Sequence, residues 1–104
     1  MKDDFEEYLV ENNKENISIQ TIIYTNKNSI RENKYLDLCI VILHPHPLYG
    51  GQMRNNVVQA IKNALIEKGI CCATFNFRGV DKSTGEFGDG YGEQEDLINV
   101  SNFI

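Results

Sequence analysis

Two short, largely apolar runs constrain this chain more than any other feature. They are residues 37–43 (Asp37-Leu38-Cys39-Ile40-Val41-Ile42-Leu43) and residues 70–77 (Ile70-Cys71-Cys72-Ala73-Thr74-Phe75-Asn76-Phe77). A run that is apolar at successive positions, rather than at every second one, suits a strand covered on both faces, the usual state of a parallel sheet. Between the runs, Asn55 or Asn56 is placed to cap a helix. Val57, Ile61, Ala64 and Leu65 then fall at i, i+4, i+7 and i+8, one apolar stripe. Gly69, directly after Lys68, marks the helix end. A strand, a helix and a strand with short joints predict parallel pairing and a right-handed crossover.

Residues 17–24 are rich in β-formers and partly alternating, which predicts an antiparallel, half-exposed strand. Residues 25–34 read as a polar turn region. Residues 1–16 form a polar N-terminal segment with few apolar anchors, read as a frayed helix or a tail. Residues 78–92 are a Gly-rich loop, and a last helix starts near Glu93 and carries Leu97, Val100 and Ile104 inward. The fold class is α/β. The 104 residues hold one small domain, well short of the roughly 200–250 residues of most single-domain α/β enzymes.

Composition excludes several function classes. A formal net charge of -5 with scattered Lys and Arg lacks the basic stripe of a nucleic-acid binder. The acids gather in Asp3, Asp4, Glu6, Glu7, Glu11 and Glu15, and again in Glu93, Glu95 and Asp96; they read as solvated helix faces and helix N-termini. No stretch has the apolar length of a membrane span, and the acidic start lacks the apolar core of a signal peptide. Cys39, Cys71 and Cys72 are an odd set without C-x-x-C spacing, which predicts free buried thiols and a cytoplasmic setting. Cys71 and Cys72 lie early in their strand, away from its functional end, so neither reads as a nucleophile. Gly88-Asp89-Gly90-Tyr91-Gly92 and Gly79-Val80-Asp81-Lys82-Ser83 match no phosphate-binding spacing, and no cofactor is expected.

The most specific signal is the pair of loops that follow the two apolar runs. In open α/β sheets, ligands bind at the carboxyl ends of the strands. The first loop reads His44-Pro45-His46-Pro47-Leu48-Tyr49-Gly50-Gly51-Gln52-Met53-Arg54-Asn55-Asn56, and the second runs from Phe75-Asn76-Phe77-Arg78-Gly79-Val80 to Asp81-Lys82-Ser83-Thr84-Gly85. Together they resemble a bacterial-type group of α/β-superfamily hydrolases, with H-P-H-P after one strand and F-N-F-R-G-V-G-x-S-x-G after the next. The resemblance covers roughly residues 36–104. It implies the N-terminal part of a mostly parallel α/β-hydrolase sheet flanked by helices, over residues 17–104. Asp81 stands where the group has Gly; if that position needs positive φ, Asp is among the better substitutes. The group's nucleophile elbow, G-x-S-x-G, follows the next strand, and no such motif occurs in these 104 residues. The triad acid and histidine lie later still.

What the resemblance implies for the site is therefore partial. Pro45 and Pro47 have no N–H, so the oxyanion-hole donor expected from this loop is the backbone of His46, stiffened by the flanking prolines. His44, Gly50, Gly51 and Asn55 shape the loop and its turn into the helix. Arg78 and Gly79 shape the second loop, and Arg78 is expected to brace neighbouring loops by hydrogen bonds to carbonyls. Ser83 lacks the strand–elbow–helix context of a nucleophile and is read as a local turn or cap residue.

Two alternatives stand beside this reading. His44-x-His46 has the shape of a metal pair, although catalytic zinc needs a third protein ligand and two prolines weaken the same-face geometry. The chain is otherwise a non-catalytic half that acts on a small acyl substrate only with a complementing half. The resemblance also puts the strand of residues 38–43 between residues 70–77 and a strand that these residues do not supply. That would leave an uncharged edge open to self-association.

Overall fold

The computed structural model describes residues 4–25 and 38–104. The expected turn at residues 25–34 lies, beyond Thr25, outside the described residues. Four strands form one sheet: β1 (Asp4–Asn12), β2 (Ile17–Thr25), β3 (Cys39–Ile42) and β4 (Cys71–Phe75), in the order β1-β2-β4-β3. Two helices accompany them, α1 (Asn56–Glu67) and α2 (Tyr91–Phe103). The β3–α1–β4 unit is parallel, with Cys39 opposite Cys71 and Ile42 opposite Thr74. The β1–β2 and β2–β4 ladders are antiparallel. The α/β layout expected from the loops is present, and pairing among the described residues is mixed.

Residues 4–12, expected to be a helix or a tail, are neither. They form β1, paired along its length with β2 from Asp4↔Thr25 to Asn12↔Ile17. Its residues alternate: Val10 and Asn12 are buried, whereas Glu7, Leu9 and Glu11 are exposed. A strand with only one face covered needs only half its residues apolar, and the charges on its open face discourage further pairing at this edge. The hairpin turn ends on Asn16 at φ 56, a left-handed geometry that Asn tolerates. Covered by β1 and β4 on its two sides, β2 is more deeply buried than expected; Ile19, Gln20 and Thr21 are inaccessible to solvent.

Alternation along the strands sends side chains to two separate cores. Ile22, Tyr24, Ile42 and Cys72 meet Met53, Val58 and Ile66 on the α1 side. Val10, Ile17, Ile19, Phe75 and Phe77 meet Val100 on the α2 side. The sheet is thus sandwiched between helices, as a strand apolar on both faces requires.

Both helices begin and end for local reasons. Asn55 Oδ1 accepts the backbone N–H groups of Val57 (2.8 Å) and Val58 (3.4 Å). At the other end Ile70 N–H bonds Leu65 C=O and Gly69 N–H bonds Ile66 C=O, with Gly69 at φ 79, a Schellman stop. The buried face of α1 is one position later than the stripe read from sequence. Val58 and Ile66 are buried and Leu65 packs against them, while Val57, Ile61 and Ala64 are exposed. In α2, Val100 and Leu97 face the sheet as expected, but Ile104 is exposed. Among the described residues no helix is long and apolar enough to cross a membrane.

Of the α2 acids, Glu95 is exposed and Glu93 lies in the first turn, as expected, but Asp96 is not on a solvated face. Asp96 is fully buried and accepts the Arg78 backbone N–H (2.9 Å) and its guanidinium at Nε (3.2 Å) and Nη2 (3.0 Å). Arg78 Nη2 also reaches Glu15 in the β1–β2 turn at 2.7 Å. Burial alone would lower the Arg78 pKa, but the hydrogen bonds and charges of Asp96 and Glu15 outweigh it and raise it. Gly92 makes room: a Cβ there would lie 2.7 Å from the guanidinium carbon.

Removing one partner of a buried pair leaves the other charge uncompensated, at about 3–5 kcal/mol. Asp96→Ala is expected to lower unfolding stability in urea by that amount. The double substitution Asp96→Leu, Arg78→Met is expected to cost less than the sum of the single changes. Additive losses would show that the pair is not coupled.

Candidate functional site

The two loops meet where β3 and β4 end, on the carboxyl side of the parallel pair. After Leu43 the chain runs through His44, Pro45 and His46 into a single 3-10 turn, Pro47–Tyr49. His46 sits at φ -52 and ψ 124, and its Nδ1 accepts the Leu48 N–H at 3.1 Å. Its carbonyl receives Tyr49 N–H and Gly51 N–H, each at 3.1 Å. Its own backbone N–H meets no acceptor among the described residues. Gly50 closes the turn at φ 79. Gly51 lets the chain fold back: a Cβ there would lie 1.9 Å from the Pro45 carbonyl oxygen.

His44 is a buried brace. Its Nδ1 lies 2.6 Å from the Pro45 carbonyl, and its Nε2 lies 3.1 Å from the Phe77 backbone nitrogen. A carbonyl can only accept and a backbone amide can only donate, so Nδ1 carries the proton and Nε2 presents its lone pair. This bond joins the first loop to the second, and the ring lies edge-on to Phe77 at 4.9 Å. Both nitrogens are thus engaged, which argues against the His44-x-His46 metal pair. No group of three His, Cys, Asp or Glu residues among the described residues is placed to hold a metal ion.

A cleft of about 510 Å³ opens beside the His46 ring. Its walls include Leu48, Phe77 and Phe87, with Asp89, Gly90 and Glu93 at the start of α2. The His46 ring packs tilted against Phe87 at 5.1 Å and edge-on to Tyr49 at 5.2 Å. The Glu93 carboxylate holds the far rim by accepting the N–H groups of Gly88 (2.9 Å) and Gly90 (3.0 Å).

Beneath the cleft lies a polar cluster that the sequence reading did not single out. Asn76 Oδ1 accepts the Met53 N–H at 2.7 Å, and Asn76 Nδ2 donates to Gln20 Oε1 at 2.8 Å. Gln20 Oε1 also accepts the Lys82 N–H at 3.2 Å. The signal available was a polar residue interrupting an apolar run: Asn76 between Phe75 and Phe77, and Gln20 among β-branched neighbours.

Ser83 closes a local turn, its N–H bonding the Val80 carbonyl at 2.9 Å, and its side chain also belongs to this cluster. Its Oγ accepts the Gln20 N–H (2.8 Å) while its hydroxyl donates to the Asn76 carbonyl (2.5 Å). Buried and doubly engaged, that oxygen is not presented to the cleft. Gly79 (φ 78) turns the second loop, and its N–H donates to the Thr84 carbonyl at 3.1 Å. Arg78 braces the loop through carboxylates, not the expected carbonyls. Asp81 has φ 46, so the position where the resembling group has Gly does require positive φ.

No family model matches the chain. Among solved structures it is similar to an alpha-beta serine hydrolase homologue from Coxiella burnetii, with 37% identity and a TM-score of 0.80, covering 94% of this chain and 44% of that one. It is also similar to an a/b serine hydrolase without lid from Xanthomonas campestris, with 28% identity and a TM-score of 0.81, covering 96% and 44%. An uncharacterised protein of Rickettsia prowazekii is 46% identical over 56 residues, which are 54% of this chain and 24% of that protein. The chain thus spans less than half the length of each of these relatives.

The state of His44 has a pH consequence. Burial pushes its pKa below the ordinary 6.5, although the Pro45 carbonyl works in the opposite direction. Between the folded value and 6.5 the unfolded chain binds more protons, so stability falls as pH falls. Urea midpoints are expected to decline on acidification below pH 6.5, and more steeply than in a His44→Gln variant. Identical slopes would contradict the neutral, doubly bonded imidazole.

Proposed function

From a chain that belongs to the α/β-hydrolase superfamily and spans less than half the length of its solved relatives, we propose that these residues supply the oxyanion-hole loop of a serine hydrolase. The observation that carries the reading is the His46 backbone N–H, which meets no acceptor among the described residues and stands at a cleft beyond the end of a parallel strand. A tetrahedral intermediate of acyl transfer develops negative charge on the former carbonyl oxygen. A fixed, unshared N–H aimed at that position stabilises it without reorganisation. The serine, the acid and the triad histidine belong, in this reading, to elements outside the 104 residues, as does the second N–H donor. The substrate class is a small ester, thioester or amide; the apolar side chains of Leu48, Phe77 and Phe87 suit its acyl portion. The outer side of β3 accepts a further strand in the same reading.

Residue-level chemistry supports assigning the role to the peptide rather than to the imidazole. The His46 ring is occupied in capping Leu48 and packing against Phe87. A carbonyl-polarising donor on the backbone needs no particular side chain, only a rigid peptide, and Pro45 and Pro47 restrict the conformations on both sides.

The test uses a protein carrying this chain together with the elements that follow it in its relatives. His46 already has φ -52, within the range proline imposes. His46→Pro therefore deletes the N–H with little change in backbone conformation. It is expected to lower kcat for a short-chain p-nitrophenyl ester about 10²–10³-fold, and His46→Ala far less. Equal losses in the two variants would assign the effect to the imidazole and overturn the reading.

A further inference from the structure

At the opposite end of the strands from the cleft, Cys39 and Cys71 face each other. They are register partners at the start of the parallel β3–β4 ladder, and their sulfurs lie 3.6 Å apart. Both are half-buried free thiols. Neighbouring strands stand about 4.8 Å apart, which falls in the Cα separation of about 4.4–6.8 Å that a disulfide accepts. Cys72 is not part of the arrangement. One residue further along the strand, it points to the other face, where it is fully buried in the α1 core. The three thiols expected to be free and buried are thus separated by the register into a facing pair and one core residue.

We propose that Cys39 and Cys71 are a redox-responsive dithiol that closes to an intramolecular disulfide by exchange with a small-molecule disulfide. The order of steps follows from the environment. Burial and, after it, the neighbouring Cys71 push the Cys39 thiol up to about 12, so Cys39 is the poorer first nucleophile. The Cys71 thiolate attacks the oxidant, its S–S bond breaks, and one thiolate departs with the bonding pair. With Cys71 held as a mixed disulfide its charge is gone, and one cause of the high Cys39 pKa goes with it. Cys39 then loses its proton and attacks the Cys71 sulfur, and the second small thiolate leaves. In sum, two protein thiols are oxidised to one disulfide, the oxidant is reduced to two thiols, and the two protons end on those thiols.

The disulfide would join β3 to its partner at the first rung of a four-residue ladder, between residues 32 apart in sequence. Among the described residues β1 and β3 are the two edge strands, and β3, with four residues against nine, has the shorter ladder and more to gain from such a tie. Cross-linking a loop of that length restricts the unfolded chain and stabilises the fold. The pair lies away from the His46 cleft, so this inference does not depend on the proposed hydrolase role.

The experiment is incubation of the full chain with oxidised glutathione, followed by non-reducing peptide mass spectrometry. The expected product is a Cys39–Cys71 cross-linked peptide from the monomer, accompanied by a higher midpoint of thermal unfolding that reverts on reduction. Cys72→Ser should retain the product. Cys39→Ser should halt at a glutathione adduct on Cys71, and Cys39→Ala, should the serine variant fold poorly, should do the same. A Cys71–Cys72 link, a lasting glutathione adduct on the unsubstituted chain, an intermolecular disulfide or no reaction would each overturn the proposal.

Discussion

The side-chain amide of Asn76 is the contact on which the geometry of both loops rests. It sits one residue past β4, fully buried, and bonds outward in two directions. Its oxygen holds the Met53 N–H at the end of the first loop, and its nitrogen holds Gln20 in β2. A buried amide with unmet hydrogen bonds is costly, so the folded chain is driven to the arrangement that satisfies both ends. Asn76 therefore fixes where the first loop must return to the body. Ser83 and Lys82 extend the same cluster to the second loop. His44 then couples the loops directly by accepting the Phe77 N–H. The position of the His46 peptide follows from these bonds more than from its own side chain.

The Arg78 ion pair acts on a different scale. It draws the β1–β2 turn, the end of β4 and the first turns of α2 onto one guanidinium. Its own peptide N–H bonds the same Asp96, so backbone and side chain are fixed together. Fixing α2 in turn fixes Glu93 and the Gly88–Gly90 rim of the cleft. The polar cluster and the ion pair thus brace the cleft from below and from its far side. The apolar cores above and below the sheet supply the bulk of the burial.

The β3–α1–β4 unit was legible because its signals agree with one another. Continuous apolar runs, an Asn cap and a Gly stop all specify the same boundaries. The flanks were less legible for identifiable reasons. β1 is an edge strand that needs apolar residues only at alternate positions, and its acids imitate a solvated helix or tail. Helix α1 carries apolar residues on two overlapping stripes, Val57-Ile61-Ala64 and Val58-Leu65-Ile66; docking on the sheet, not periodicity, selects the second. Asp96 looked like a dipole-favoured surface acid because its partner lies 18 residues earlier. The Gln20–Asn76–Ser83 cluster joins residues 56 and 63 positions apart, a pairing that no local pattern encodes. The loops themselves were found from their Pro and Gly pattern. That His46 has a free N–H and His44 has none of its nitrogens to spare emerged only from the fold.

The central claim is that the chain is built to hold the His46 N–H toward a developing oxyanion. Its most direct test is a crystal structure of a protein carrying this chain and the elements that follow it in its relatives, bound to a tetrahedral boronate or phosphonate adduct. The account predicts that one oxygen of the adduct lies about 2.7–3.1 Å from the His46 backbone nitrogen, with the Asn76–Met53 bond intact. An adduct oxygen held by other donors, with the His46 N–H directed away from it, would contradict the account.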